Sequence, residues 1–141
     1  MFFRAFTILL LLVVSLVGCS RPGPAVTGKV TFTDGSPLTV GEVLFDNGSI
    51  LARATIQPDG SFSLGMVKDG EGVPVGQYKV SIFGALDFSK NPRWGDLLID
   101  QKHTSASTSG LMFDVKKEQK NVCDIVVEPS PYYLQLQKER Q

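Results

Sequence analysis

Between residues 25 and 128 apolar side chains recur at every second position in short runs, the period of a half-buried β-strand rather than the 3.6-residue period of a helix. Residues 28–33 place Val30 and Phe32 on one face, with Lys29 and Thr31 on the other. Residues 42–46 turn Val43 and Phe45 inward. In 50–56 the apolar face carries Ile50, Ala52, Ala54 and Ile56, opposite Leu51, Arg53 and Thr55. Phe62 and Leu64 alternate with serines, and Tyr78, Val80 and Ile82 alternate with Lys79, Ser81 and Phe83. Two further runs cover 111–115 and 121–128, the latter aligning Cys123, Ile125 and Val127 on one face.

Turn chemistry separates these runs. Asp34-Gly35-Ser36-Pro37, Asn47-Gly48 and Pro58-Asp59-Gly60 combine a residue that presets or tolerates tight backbone angles with a glycine that accepts positive φ. Seven short strands, hairpin turns and no amphipathic helix of three turns predict an all-β, seven-stranded sandwich of two sheets. Residues 65–76 read as a flexible loop. Residues 84–110 are too long for a simple connection, and such segments in compact domains are either functional or disordered. Pro129-Ser130-Pro131 ends the seventh strand, because proline cannot continue a ladder. The remaining ten residues, 132–141, are compatible with a frayed tail, a short helix or an added edge strand.

A different pattern precedes the sandwich. Residues 5–17 are apolar except for Thr7 and Ser15, follow Arg4, and lead into Leu16-Val17-Gly18-Cys19. Thirteen residues fall well short of the ~20 that span a bilayer as a helix, so the run reads as a signal peptide. The four residues ending at Cys19 are similar to the lipobox of bacterial lipoproteins. That resemblance implies cleavage before Cys19 and lipidation of its thiol; an ordinary secretory signal cleaved nearby is the alternative. The expected organisation is a signal peptide at 1–18, a lipidated cysteine and tether at 19–24, a sandwich at 25–128 and a tail at 129–141.

Removing residues 1–18 leaves 123, enough for one domain with its own core. It takes only Arg4 from a chain with 14 basic and 14 acidic residues, so 13 basic stand against 14 acidic, a net charge of −1. The basic residues are scattered, which gives no footprint for nucleic acid. Their one short cluster, Lys116, Lys117 and Lys120 beside Glu118, reads as a solvated turn. With Cys19 acylated, Cys123 has no disulfide partner, and its strand position makes it a buried, inert thiol.

Gly28-Lys29-Val30-Thr31-Phe32, Asp34-Gly35-Ser36-Pro37-Leu38 and Gly41-Glu42-Val43-Leu44-Phe45 resemble the opening of carboxypeptidase regulatory-like domains. Residues 54–64, around Pro58-Asp59-Gly60-Ser61-Phe62, and Val75-Gly76-Gln77-Tyr78-Lys79-Val80 continue the likeness, which covers 26–83 well and 107–127 loosely. The resemblance implies a transthyretin-like (prealbumin-like) sandwich and a noncatalytic module, as most members of that family are. Hydroxyisourate hydrolases on that fold use more than one histidine and a C-terminal Tyr-Arg-Gly-Ser. This chain has His103 alone and ends Lys138-Glu139-Arg140-Gln141.

No other constellation carries chemistry. His103 beside Asp96 or Asp100 is a poor metal signal without a second histidine, and an exposed loop histidine is the simpler expectation. Asp34, Asp59 and Asp69 each precede glycine as turn formers, without the alternating acidic ligands of a calcium loop. No cofactor, metal or catalytic residue is expected. In the long loop, however, Phe88, Arg93 and Trp94 gather side chains of the kind that anchor partners. They form either a contact site for an envelope protein or glycan, or, for Phe88 and Trp94, a cap over an open end of the sandwich. The expectation is a lipid-anchored envelope protein, with the outer membrane favoured over the inner, carrying a noncatalytic binding module. A purely structural lipoprotein is the second reading and an uncharacterised enzyme the third.

Overall fold

The computed structural model describes residues 23–141. The signal run and Cys19 lie outside the described residues. Eight strand segments follow in chain order: β1 (Val26–Phe32), β2 (Glu42–Asp46), β3 (Leu51–Thr55), β4 (Ser61–Ser63), β5 (Gly76–Phe83), β6 (Leu111–Val115), β7 (Asn121–Val122) and β8 (Ile125–Val127). A one-turn 3-10 helix, Gln101–Thr104, precedes β6, and α1 (Pro131–Glu139) closes the chain.

The strands build two sheets, as the alternation predicts. In one, β1 pairs antiparallel with β4 and parallel with both β7 and β8; in the other the order is β3-β2-β5-β6. The β3–β4 hairpin carries the chain between them. Arg53 and Gly65 exchange backbone hydrogen bonds of 2.8 and 3.0 Å, and the Gln57 N–H donates to the Ser61 carbonyl at 2.8 Å. The buried face of each strand is the apolar set read from the sequence: Val30 and Phe32, Val43 and Phe45, Ala52 and Ala54, Tyr78, Val80 and Ile82, Ile125 and Val127. The Tyr78 hydroxyl donates to the Pro74 carbonyl at 2.8 Å, so this buried ring leaves no polar atom unpaired.

The seventh expected strand, 121–128, arrives as two pieces in one register. Val26 pairs with Asn121 and Phe32 with Val127, so the offset is the same on both sides of Cys123-Asp124. The chains pinch together at the gap. An ideal Cβ on Gly28 would lie 1.9 Å from the Cys123 carbonyl oxygen, and glycine is what permits the approach. Beside it the Cys123 N–H still donates to the Thr27 carbonyl at 2.8 Å.

Strand directions sort the connections onto two ends. β1, β3, β5 and the β7–β8 pair run one way; β2, β4 and β6 run the other. The end where the chain comes in at Gly23, the near end, therefore carries 47–50, 64–75 and 116–120. The far end carries 33–41, 56–60, 84–110 and the C-terminal segment, roughly 20 Å away along a seven-residue strand.

Of the last ten residues, 132–139 lie in a helix. The Ser130 hydroxyl accepts from the Tyr133 N–H at 3.0 Å and Pro131 occupies the first turn, the N-terminal pair that helices favour. Residues 129–141 are thus not a loose tail: Tyr133 stacks on Phe32 with ring centroids 4.5 Å apart.

Candidate functional site

The far-end segment 84–110 is ordered by a small hairpin of its own and by contacts from outside it. Leu86 and Leu97 form an antiparallel bridge, the Leu98 N–H donates to the Ala85 carbonyl at 2.9 Å, and the Asp87 N–H donates to the Asp96 carbonyl at 3.1 Å. Inside this small hairpin the Arg93 N–H donates to the Asp96 carboxylate at 2.9 Å and the Asp96 N–H returns a bond to the Arg93 carbonyl at 2.8 Å.

The base of the hairpin is tied to α1. Asp87 accepts from the Ser89 hydroxyl at 2.6 Å, the Tyr132 hydroxyl at 2.7 Å and the Ser89 N–H at 2.9 Å. The Ser89 hydroxyl, then the Tyr132 hydroxyl, hold the Asp87 carboxyl down at about 2. The Lys90 ammonium lies 5.0 Å from the centre of the Tyr132 ring.

On this pinned base the three residues singled out in the sequence sit at the surface. Phe88 is 59% exposed, Trp94 is 62% exposed, and Arg93 is exposed as well. Phe88 and Trp94 do not cap the sandwich, which corrects that alternative. Ala85, Leu97 and Ile99 are the buried apolar residues of this segment, and Ala85 and Ile99 join the core there with Phe32 and Tyr133. Between the hairpin and α1 runs a groove of about 390 Å³ bordered by Leu38, Leu86, Phe88, Tyr133, Leu136 and Arg140. Beside it a polar recess of about 420 Å³ is lined by Lys90, Asn91, Arg93 and Asp96. A rim with projecting aromatics, one arginine and an apolar groove can hold a partner.

His103 lies elsewhere, and its placement departs from the expectation of an exposed loop histidine. It is only 3% exposed, held in the 3-10 turn that packs against β5. Its Nε2 meets the Glu128 carboxylate. Lys102 Nζ takes the other carboxylate oxygen at 2.7 Å. Hydrogen bonds from Lys102, then His103, hold the Glu128 carboxyl at about 2. Next to this clasp the Ser109 hydroxyl donates to the Val80 carbonyl, and Ser81, expected to face out, is buried. The reason is that β6 pairs with β5 only as far as Val80, and residues 101–109 cover what remains.

Asp100 accepts from the Lys102 N–H at 2.9 Å and Asp96 is engaged by Arg93, so neither joins His103. Among the described residues no three His, Cys, Asp or Glu side chains are grouped to hold a metal ion. Nor is any described helix long and apolar enough to cross a membrane. Cys123 is buried, and burial, with Asp124 adding to it, pushes its thiol up to about 12. Sequence reasoning missed the groove and the clasp, since each depends on α1 or on the end of β8 returning to the long loop.

No protein-family model matches the chain, and no curated protein matches it. Among solved structures, a DUF3823 family protein from Bacteroides ovatus is similar at 22% identity and a TM-score of 0.44, over 77% of this chain and 45% of that protein. The Bacillus anthracis TIE protein is similar at 13% identity and a TM-score of 0.44, over 74% of this chain and 16% of that one. This chain therefore spans less than half of either protein, and likeness at this level carries no functional argument.

Proposed function

We propose that this chain is a lipid-anchored cell-envelope protein whose sandwich is a noncatalytic binding module, displaying Phe88, Arg93 and Trp94 to a protein or glycan partner. The single observation that carries the reading is the exposure of two aromatic rings on a hairpin whose base is hydrogen-bonded to the fold. Two large aromatic rings stay more than half exposed on a hairpin fixed by the Leu86–Leu97 bridge and the Asp87–Tyr132 bond. Aromatic side chains bury large area at small entropic cost on binding, which is what an anchor needs. The lipobox-like Leu16-Val17-Gly18-Cys19 supports the anchor, and the order of turn motifs from Gly28 to Val80 supports a domain of the carboxypeptidase regulatory-like, transthyretin-like kind. A lipid anchor of two or more acyl chains holds a protein at a membrane without a spanning helix. The chain comes in at the end opposite the hairpin, so the anchored protein turns Trp94 away from its own membrane.

The test is photo-crosslinking in intact cells from a probe at position 94, with the adducts identified by mass spectrometry after membrane extraction. The reading predicts one dominant adduct. Labelling no stronger than from a probe at Lys29, on the outer face of β1, would favour a purely structural lipoprotein.

A further inference from the structure

Resting on the lipid-anchor reading, we infer that the near end of the sandwich is a second interaction surface, which lies on anionic phospholipid headgroups through Lys68, Lys116, Lys117 and Lys120. The short distance in sequence between Gly23 and Cys19 is the first reason. Gly23-Pro24 is laid against the 64–75 loop: the Val73 N–H donates to the Pro24 carbonyl at 3.1 Å, and an ideal Cβ on Gly23 would lie 1.9 Å from the Val73 carbonyl oxygen. Three residues, Ser20, Arg21 and Pro22, separate Gly23 from Cys19. Such a leash spans at most ~14 Å. That is comparable with the ~10 Å over which charges are felt at ordinary salt. The near end thus stays within ~14 Å of the anchored residue, close to the headgroup layer, while Cys19 is held in it.

The second reason is what that end presents. Val115 pairs with Gly76 and Asn121 with Val26, so the turn between β6 and β7 lies beside the incoming chain. Asn121 fastens this turn, accepting from the Lys116 N–H at 2.9 Å and donating to the Lys116 and Gln119 carbonyls at 2.9 and 3.3 Å. Lys116, Lys117 and Lys120 project from it, all exposed. Across the incoming strand the 64–75 loop adds exposed Lys68 and Val67, the latter 86% exposed.

The carboxylates of the same loop are turned to the backbone. Asp69 accepts from the Thr55 N–H at 3.0 Å, and Glu71 accepts from the Val67 and Lys68 N–H groups at 3.2 Å each. Asp69 and Glu71 keep their charge in these bonds, and Glu118 on the basic turn and exposed Asp114 just before it add to them, against the four lysines and Arg21. Among the described residues the ion pairs are those of Lys102 and His103 with Glu128, so all four near-end lysines are free to meet lipid phosphate. Lysines held this close to an anionic surface each add to its attraction.

The full chain, purified from membranes and reconstituted in vesicles of phosphatidylcholine with phosphatidylglycerol, gives the test. A fluorophore is placed at Gln119→Cys or Trp94→Cys, with a quencher on the lipid headgroups and flotation measured on the same samples. Position 119 is expected to be quenched several-fold more than 94. The difference should collapse when the four lysines become glutamine, and in ~1 M salt, where screening shortens to about 3 Å, with flotation retained throughout. Equal quenching at both positions, or a difference that ignores both lysines and salt, overturns the headgroup contact while flotation leaves the anchor standing. A chain that does not float overturns the anchor reading and this inference with it.

Discussion

The rings of Phe32 and Tyr133 stack with centroids 4.5 Å apart and planes 9° from parallel. This contact fastens α1 to the last residue of β1, and through Tyr132 and Asp87 the helix in turn fastens the hairpin that displays Trp94. Phe32→Ala opens a hole in the core and should cost about 3–4 kcal/mol. Tyr133→Ala should cost about 1–2 kcal/mol and release the helix, seen as faster amide exchange in both α1 and residues 86–97. Tyr133→Phe keeps the stack and should stay within about 0.5 kcal/mol of the parent. Denaturant melts of the three variants read these values.

Glu128 links acidity to stability. Its carboxyl is held at about 2 in the folded protein against an ordinary 4.5, by Lys102 and then His103. A carboxyl with a lowered folded value adds stability above its unfolded value and loses it as pH falls toward the folded one. The Tm of the parent should therefore decline between pH 5 and 2, and Glu128→Gln should flatten that decline while lowering Tm at pH 7. A parallel acid limb in both proteins would count against the clasp.

Removing the ring of the clasp is a harsher change. His103→Ala leaves a buried void and a carboxylate without one of its donors, and should cost about 2–3 kcal/mol. Amide exchange should rise at Ser109 and along the outer half of β5.

Cys123 should be inert in the folded state. With its thiol buried and pushed up to about 12, it should resist alkylation at pH 8 and react at the rate of a free thiol once urea unfolds the chain. Labelling at comparable rates in both conditions would contradict the buried placement.

Phe88 and Trp94 should be replaceable without harm to the fold. Each alanine variant should keep its stability within about 0.5 kcal/mol of the parent, since neither ring fills the core. A loss on the scale of Phe32→Ala would return them to a structural role.

The sandwich was legible because its strands obey a local rule. β2 and β6 fall on the residues where alternation puts them, and the inward faces match in β1, β3 and β8. What escaped was set by distant partners. Ser81 carries the pattern of an outward residue and is covered by a segment 20 to 28 positions later. His103 is buried because Glu128 waits at the end of a strand on the other sheet. The break at Cys123-Asp124 follows from a glycine on the neighbouring strand. The helix did have a local signal, Ser130-Pro131 as cap and first residue, but the same prolines also read as the end of a strand. For the candidate site, the hairpin residues were visible by type, whereas their exposure and the groove beside them come from α1 packing against the loop.

Both the far-end display and the near-end contact depend on Cys19 being the anchored first residue of the mature protein. The most direct measurement is the mass of the N-terminal peptide from the full chain expressed in bacteria and extracted from membranes, compared with Cys19→Ser. The account predicts a peptide that begins at Cys19 and carries a diacylglyceryl thioether, with the serine variant left unprocessed and unacylated. A peptide that begins elsewhere, or a Cys19 recovered with a free thiol, would contradict it.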